Sequence, residues 1–454
     1  MSDHGGNRPA NAVPRIKGHW LTGSLSAYLD SPLDFYSECS KKYGDIAFGR
    51  FLHFPICVLS DPCFVEELLV QRAQNLEQSR FLSAPLKPLL REGLLIAGAV
   101  SHARQRPLVE KAVREGIAAV WAEEVVCAAE RFAASWTNGK PRDFYAEMLR
   151  VISEVLAGAA FGAVPHAAET SALVNRAVDL VTDRMQQFPP IPDFVPTHGN
   201  REARKALREM DRALSVAIHE ARARAATKNG LLSTLVAARG EGGTSLSERE
   251  IRDQLVMIHL AVRQNLAAAL TWTFFLLCQS EASYSKVSQE VQSVVGDKRP
   301  GLGETERLIY CDLVVKEILR LYPSVWQVLR HVLRDTQVGE HKIPAGTQVL
   351  MSQWLFQRDA RFFDAPERFI PERWQHPREE WKLAYFPFGM GPRGCIGERL
   401  TVLTVKMVMA VLTRNFRLQL LPDQNVKPLP VFALRPAGSV LMEVRRAVAD
   451  GVRQ

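Results

Sequence analysis

Apolar residues along this chain recur mostly at the three-to-four-residue spacing of amphipathic helices. From about Ser101 to Ala282 the spacing is nearly continuous, so it predicts a helix-rich region. Ser247 and Glu250 form the pattern of a capping box, and the apolar stretch after them predicts one helix that ends at Gln279. At about 1.5 Å per residue, that helix is about 50 Å long.

Strand patterns are short and lie towards the two ends of the chain. "DIAFGRF" and "FPICVLS" are strand-like, "TQVGEHKIPAGTQVLMS" predicts a hairpin, and the end, "FRLQLLPDQNVKPLPVFALRPAGSVLMEV", predicts further strands. A Pro-rich loop, "QQFPPIPDFVPTHGN", separates two helices. The chain therefore predicts a mainly α fold with small β-sheets (α+β). We expect a flexible segment over residues 1–20 and a single domain over 21–454.

Composition narrows the class of protein. The 454 residues are 47% hydrophobic, which is ample for a large core. No run of 18 or more apolar residues occurs, so the sequence predicts no membrane span. The polar start, "MSDHGGNRPANAVPRIKGHW", lacks the apolar centre of a signal peptide, and we expect a cytoplasmic protein.

Charge and cysteine usage indicate what the chain binds. The net charge is +8, but Lys and Arg are dispersed, which favours an acidic protein partner over nucleic acid. The seven cysteines contain no C-x-x-C pair, so the sequence favours reduced thiols over a zinc site or a disulfide framework.

One of these cysteines lies in a glycine-rich loop, "FPFGMGPRGCIGERL". Glycines allow the backbone to approach a flat ligand closely. An amphipathic helix follows at once, so Cys395 is expected at a helix N-terminus, where amides and the helix dipole stabilise a thiolate. A buried apolar thiol is the ordinary alternative for an isolated cysteine.

The loop matches the pattern F-x-x-G-x-R-x-C-x-G and resembles the haem-binding loop of the cytochrome P-450 family. Its matching positions are Phe388, Gly391, Arg393, Cys395 and Gly397. The resemblance covers nearly the whole chain, and its motifs are highly specific.

Two further motifs stand in the order that this family has. "KEILR" supplies Glu317 and Arg320, one helical turn apart, and "PERW" supplies Arg373. They resemble the family's Glu-Arg-Arg cluster, which implies a buried ionic structure that holds the fold rather than a catalytic role.

The resemblance implies a single triangular fold, with haem b between a long distal helix and the proximal cysteine loop. It implies Cys395 as the thiolate ligand of the iron, which favours O–O cleavage. Further implied cofactor contacts are Phe388, Gly389 and Gly397, with His102, Arg106, Arg330 and Arg393 on the propionates. An ordinary surface salt bridge is the alternative for each of these cations.

The stretch "AVRQNLAAAL" resembles the family's distal-helix pattern, A/G-G-x-(Asp/Glu)-Thr-(Thr/Ser). Ala261 takes the first position and Val262 replaces the usual glycine. Gln264 replaces the acid and Asn265 replaces the threonine, so the usual proton-relay pair is absent. The resemblance thus marks Ala261, Gln264 and Asn265 as the catalytic positions.

Helix geometry sorts the neighbouring polar residues. At about 100° per residue, Asn265 shares a face with Ala261 and Ala269, the face expected towards the haem. Arg263 is about 200° from Asn265, so we expect a salt bridge or a surface contact. Some family members use a distal-helix arginine to hold a fatty-acid carboxylate for peroxide-driven chemistry. Here Arg263 comes one place too early and no proline follows it.

Three hypotheses for Asn265 follow. It orders a water chain and preserves oxygen activation, since an amide can hydrogen-bond water, dioxygen or a carbonyl. Alternatively, the substrate carries its own O–O or N–O bond and needs no proton delivery. In the third, Asn265 only satisfies a kink in the helix.

The resemblance implies a haem-thiolate monooxygenase acting on a hydrophobic small molecule, such as a terpenoid or another secondary metabolite. Electrons would come from a separate ferredoxin or flavodoxin system, with Arg399 as one candidate basic docking residue, and we expect a monomer. The alternative is an enzyme that uses a peroxide or N–O substrate without a reductase. A third hypothesis, a non-catalytic relative, is disfavoured because such a protein has little need of Cys395.

The predicted pocket residues are Phe188, Val262, Val325, Trp326, Val328 and Phe432. Core packing is the alternative role for each of them.

Overall fold

The computed structural model describes residues 13–137, 139–162, 164–186, 191–192, 194–223 and 230–446. Within these ranges the chain forms α-helices and short β-strands. The helices are α1 Leu25–Asp30, α2 Pro32–Tyr43, α3 Pro62–Glu66, α4 Arg80–Leu90, α5 Ala99–Lys111, α6 Ala118–Ser135, α7 Phe144–Leu156, α8 Ala167–Met185, α9 His198–Ala223, α10 Leu231–Ala237, α11 Glu248–Gln279, α12 Glu281–Val294, α13 Leu302–Glu306, α14 Ile309–Leu321, α15 Gln353–Phe356, α16 Trp381–Ala384 and α17 Glu398–Asn415. The strands are β1 Ile46–Phe51, β2 Phe54–Leu59, β3 Leu76–Gln78, β4 Arg142–Asp143, β5 Val328–Val332, β6 Thr336–Val338, β7 His341–Ile343, β8 Gln348–Met351, β9 Phe416–Leu420, β10 Pro428–Pro430, β11 Leu434–Pro436 and β12 Leu441–Arg446.

The chain divides into two compact units, each built from distant segments. The strand-rich unit takes the described part of residues 1–81 together with 327–366 and 379–394. It contains a five-stranded sheet of order β1-β2-β8-β5-β3, in which β2 and β8 are parallel and the other pairs are antiparallel. One face of this sheet buries apolar side chains such as Leu59, Val332 and Met351. The predicted hairpin is present as β6 and β7.

The helical unit comprises 82–326, 367–378 and the described part of 395–454. Helix α11 runs through it and packs against α7, α8, α9, α14 and α17. Its start is fixed by the predicted capping box, because the Glu250 amide donates to Ser247 Oγ at 3.3 Å and the Ser247 amide donates to Glu250 Oε2 at 2.9 Å. The helix ends at Gln279, as predicted.

Helix α11 is also long and apolar enough to cross a membrane. However, 72% of its most apolar stretch is buried inside the protein, as in the core helix of a soluble protein. That single match is therefore weak support for a membrane span.

The mainly helical architecture with small sheets agrees with the sequence. The single domain expected over 21–454 remains a prediction. Residues 1–12 of the expected flexible segment lie outside the described residues. Later in that segment, the Ile16 amide donates to the Phe48 carbonyl at 2.7 Å and the Phe48 amide donates to the Pro14 carbonyl at 2.9 Å. Flexibility of the segment remains a prediction.

Candidate active site

The glycine-rich loop adopts a conformation that requires glycine. Gly391 has φ +69°, and an added Cβ would lie 2.2 Å from the Leu69 carbonyl oxygen. Gly389 has φ +74°, which an L side chain rarely adopts. Phe388 beside it is half-buried. The spacing of these glycines therefore sets the backbone path that leads to the cysteine.

Cys395 lies at the start of α17 in the helical unit, as predicted. The Gly397 amide donates to Cys395 Sγ at 3.3 Å. The side chain is solvent-accessible, yet surrounding protein raises the pKa of its thiol above the usual 9.0. Desolvation, and then the charge of Glu398, raises this pKa, whereas the Gly397 amide and the nearby Arg106 and Arg114 lower it. Thiolate stabilisation by the helix N-terminus therefore remains a prediction, and a bound cation would add to it.

Arg330 is a buried positive charge in the strand-rich unit, and the half-buried Arg393 lies near enough to affect it. Arg330 Nη1 donates to Gln78 Oε1 at 2.7 Å and to the Leu329 carbonyl at 2.9 Å, both uncharged acceptors. Among the described residues, no carboxylate lies within ion-pair distance of Arg330. Burial, and then the charge of Arg393, lowers the pKa of Arg330 to about 10. Because a buried cation is costly without a counter-charge, Arg330 fits an anionic group such as a haem propionate.

The other two predicted propionate ligands lie on α5, one turn apart. His102 is buried. Arg106 Nε donates to Glu110 Oε2 at 3.1 Å, so it already makes the kind of salt bridge that was its alternative role. The propionate roles of His102 and Arg106 therefore remain predictions.

Asn265 makes two contacts in the middle of α11. Its Nδ2 donates to the Ala261 carbonyl at 2.7 Å, and its own carbonyl accepts from Ser324 Oγ at 2.9 Å. The first contact fixes the orientation of the amide, since an oxygen at that distance from a carbonyl would repel it. Asn265 Oδ1 is buried and accepts no hydrogen bond from the described residues. A buried acceptor in this state favours a bound donor group.

The neighbouring polar residues contact other helices. Arg263 donates to Asp179 Oδ1 at 2.5 Å and to Ser153 Oγ at 3.0 Å. Gln264 Nε2 lies 3.5 Å from Thr182 Oγ1. Arg263 therefore makes the predicted salt bridge. Neither Arg263 nor Gln264 shares a hydrogen-bond partner with the Asn265 side chain.

The predicted substrate residues have mixed environments. Val262 and Phe432 are half-buried, Val325 is exposed, and Trp326 is buried with its Nε1 donating to the Val431 carbonyl at 2.8 Å. Val328 packs in the core of the strand-rich unit. Phe188 lies outside the described residues. A pocket role for all six remains a prediction.

The Glu317 cluster is a complete buried ionic network. Arg320 donates to both Glu317 carboxylate oxygens at 2.9 Å, and Arg373 Nε donates at 3.0 Å. The Trp374 indole and the Ile370 amide also donate to that carboxylate, each at 2.9 Å. Glu317 and Arg320 are fully buried. This network holds α14 against the 371–375 turn, which agrees with a role in the fold.

Two residues near the site have contacts that sequence patterns do not predict. The hydrogen bond from Ser324 to Asn265 was not predicted, because it joins positions 59 apart in the chain. Arg399, the candidate docking residue, pairs with Glu306 at 3.1 Å, and both side chains are exposed. Its charge is thus partly offset on the surface.

Comparison with known proteins agrees with this geometry. The family model for cytochrome P450 (also written P-450) matches residues 13–443. Cyclooctatin synthase of Streptomyces melanosporofaciens is 29% identical over 424 residues, which is 91% of each chain. Pentalenene oxygenase of Streptomyces avermitilis is 27% identical, covering 94% of this chain and 95% of its own. Cyclooctat-9-en-7-ol 5-monooxygenase of Streptomyces melanosporofaciens is 28% identical, covering 94% and 96%.

This chain belongs to the cytochrome P-450 family. It is a monooxygenase of the oxidoreductase class, and its cofactor is haem b. The buried charge at Arg330 and the accessible thiol of Cys395 fit that cofactor.

Proposed function

We propose that this enzyme inserts oxygen from O₂ into a hydrophobic terpenoid or a related secondary metabolite. The proposal rests on the similarity to three relatives whose names point to terpene oxidation. This similarity covers more than nine-tenths of each relative. Electrons come from a separate ferredoxin or flavodoxin system, and the enzyme is a cytoplasmic monomer.

Cys395 would supply the thiolate that holds the haem iron. When bound, a thiolate-ligated haem supplies the chemistry of O–O cleavage. Arg330 and Arg393 would hold the propionates, and an anion there would balance the buried charge of Arg330. His102 and Arg106 add propionate contacts, and Phe388, Gly389 and Gly397 line the cofactor loop.

Asn265 orders water in place of the usual acid–alcohol pair. Its Nδ2 is held by the Ala261 carbonyl, so Oδ1 accepts a hydrogen bond from water or from a hydroxyl group. Gln264 cannot exchange a proton near neutral pH, and its amide lies by Thr182. The proton is therefore delivered through ordered water rather than from an acidic side chain.

The proposed function is tested by turnover of pentalenene, a hydrocarbon, and cyclooctat-9-en-7-ol, an alcohol. Each is incubated with ferredoxin, its reductase and NAD(P)H, and separately with hydrogen peroxide. We expect reductase-supported product whose new oxygen derives from labelled O₂. Product formed with peroxide alone would instead support the enzyme class that works without a reductase. Arg263 contacts Asp179 and Ser153, which gives no support to carboxylate anchoring.

The role of Asn265 is tested in the same reaction. Asn265→Ala should lose product by about 10²–10⁴-fold and divert electrons to hydrogen peroxide, because a positioned proton-transfer group contributes about that much. The double change Gln264→Asp with Asn265→Thr should keep or improve coupling. If the double change gives no improvement and Asn265→Ala keeps full turnover, water ordering by Asn265 is wrong.

A further inference from the structure

Three segments of the helical unit are joined by hydrogen bonds that begin and end on α11. Ser324 Oγ donates to the Asn265 carbonyl at 2.9 Å, and the Ser324 carbonyl accepts from the Leu434 amide at 2.8 Å. The Leu434 carbonyl in turn accepts from Trp272 Nε1 at 2.8 Å. Asn265 and Trp272 are seven positions apart on one helix. We call this set of three bonds the Ser324 circuit.

Aromatic contacts hold the circuit on both sides. The Tyr322 ring stacks on the Trp272 indole, with centroids 4.0 Å apart and planes 10° apart. Trp326 Nε1 donates to the Val431 carbonyl at 2.8 Å. Trp272 is fully buried and Trp326 nearly so. Segments 322–326 and 431–434 are therefore held against each other as well as against α11.

The Ser324 hydroxyl differs from other hydroxyls bonded to α11 carbonyls. Thr271 and Thr273 donate to Ala267 and Ala269, which are carbonyls of their own helix, so they join nothing to it. Ser324 comes from another segment and donates at the residue whose side chain carries the unpaired Oδ1. Loss of this hydroxyl would remove the circuit's bond at Asn265 and leave the turn that carries Phe432 held to α11 through Trp272 alone, so the turn could shift relative to Asn265.

We propose that Ser324 is a positioning residue that fixes the 431–434 turn relative to Asn265 and thereby determines which substrate shapes the distal site accepts. It acts through Asn265 and the turn and does not itself touch the reacting atoms. The inference rests on the proposed function, since it assigns a specificity role at that same site.

The test uses the haem-loaded enzyme and two azoles that bind the ferric iron. Imidazole is small, whereas 4-phenylimidazole extends into the distal site. Ser324→Ala keeps the carbonyl that holds Leu434 and removes only the hydrogen bond to the Asn265 carbonyl, while the Trp272 bond to Leu434 remains. We expect the Kd of 4-phenylimidazole, read from the Soret difference spectrum, to rise by about two- to tenfold, the equivalent of one hydrogen bond. The Kd of imidazole should stay unchanged.

Variants at the same position separate positioning from folding. Ser324→Thr keeps the hydroxyl and should restore the native ratio of the two Kd values, and Ser324→Cys, a weaker donor, should give an intermediate ratio. Thr271→Val removes a buried hydroxyl bonded within α11, so it should lower stability without changing the ratio. If Ser324→Ala does not retain haem, Ser324→Cys still tests whether the ratio of the two azole Kd values depends on this hydroxyl.

Equal weakening of both azoles, no rescue by threonine, or the same shift in Thr271→Val would overturn the proposal. Azole binding requires haem but no terpene. A shifted ratio in an enzyme that oxidises neither terpene would therefore support positioning while contradicting the proposed substrate class. An unshifted ratio in an enzyme that oxidises a terpene would contradict positioning alone.

Discussion

Arg320 in the helical unit and Arg330 in the strand-rich unit are both buried arginines, but their surroundings differ. Arg320 donates to both oxygens of the buried Glu317 carboxylate at 2.9 Å. Arg330 donates to two uncharged oxygens, and the nearby charge of Arg393 adds to burial in lowering its pKa. The charge of Arg320 is therefore balanced within the protein, whereas no carboxylate among the described residues balances the charge of Arg330. Burial of a charge therefore reveals a ligand site only after its counter-charges have been identified.

The largest effect should come from breaking the complete site. Glu317→Gln leaves Arg320 and Arg373 without their carboxylate, which typically costs about 3–5 kcal/mol of folding free energy. We expect a much lower denaturation midpoint and poor recovery of folded enzyme. Glu372→Gln is the matched control, because that carboxylate is partly exposed and pairs with Lys286. Similar midpoints for both variants would contradict a structural role for Glu317.

Arg330→Gln should have opposite effects on the haem-free and haem-loaded protein: it should not destabilise the first, but it should weaken haem binding in the second. Without haem it removes a buried charge, so stability should stay the same or rise. With haem it removes a charged hydrogen-bond partner, typically about 1.5–3 kcal/mol, so haem should dissociate about ten- to a hundredfold more readily. The measurements are unfolding of the haem-free protein and haem transfer to an acceptor globin. Arg334→Gln, an exposed neighbour on the chain, should change neither; equal haem loss from both variants would contradict the propionate role.

Arg263 should contribute less to folding stability than the Glu317 network, because its salt bridge is only partly buried. Its partner Asp179 is 40% exposed, so Arg263→Ala should cost only about 1 kcal/mol despite the 2.5 Å contact. The midpoint of urea denaturation measures this, and turnover of the folded variant should be unchanged. Arg176→Ala on α8, whose partners Glu202 and Glu209 are also partly exposed, is the control. A selective loss of turnover in haem-loaded Arg263→Ala would instead support carboxylate anchoring.

The smallest effect is expected at the exposed pair. Glu306→Gln frees Arg399 for an acidic ferredoxin, so the reductase-supported rate at low salt should rise by about two- to fivefold, the range of one surface ion pair. Added salt should remove this gain, because the screening length is about 10 Å at roughly 0.1 M. A rate that ignores both the substitution and salt would contradict electrostatic docking through Arg399.

Local patterns predicted the elements better than they predicted what the elements contact. The bounds of α11 followed from its capping box and apolar run, since both signals lie within a few residues of each other. The pairing of β2 with β8 joins positions almost three hundred residues apart, and no local pattern encodes it.

In the candidate site, too, local patterns predicted the positions of residues but not their distant contacts. The position of Cys395 at the start of α17 was predicted, but the desolvation of its thiol was not, because desolvation depends on atoms from elsewhere in the chain. Helix periodicity predicted a salt bridge for Arg263 but could not identify Asp179. The bond from Ser324 depends on how a non-helical segment crosses α11, so it required the structure.

The pairing of Pro14 and Ile16 with Phe48 has a consequence for shortening the chain. Those residues add a short parallel pairing beside β1 at the edge of the five-stranded sheet. Removing residues 1–12 leaves both hydrogen bonds in place, whereas a protein that begins at Gly18 exposes the Phe48 amide and carbonyl to solvent. An uncovered strand edge invites pairing between molecules. Light scattering of the two shortened proteins should therefore show aggregation mainly in the one that begins at Gly18.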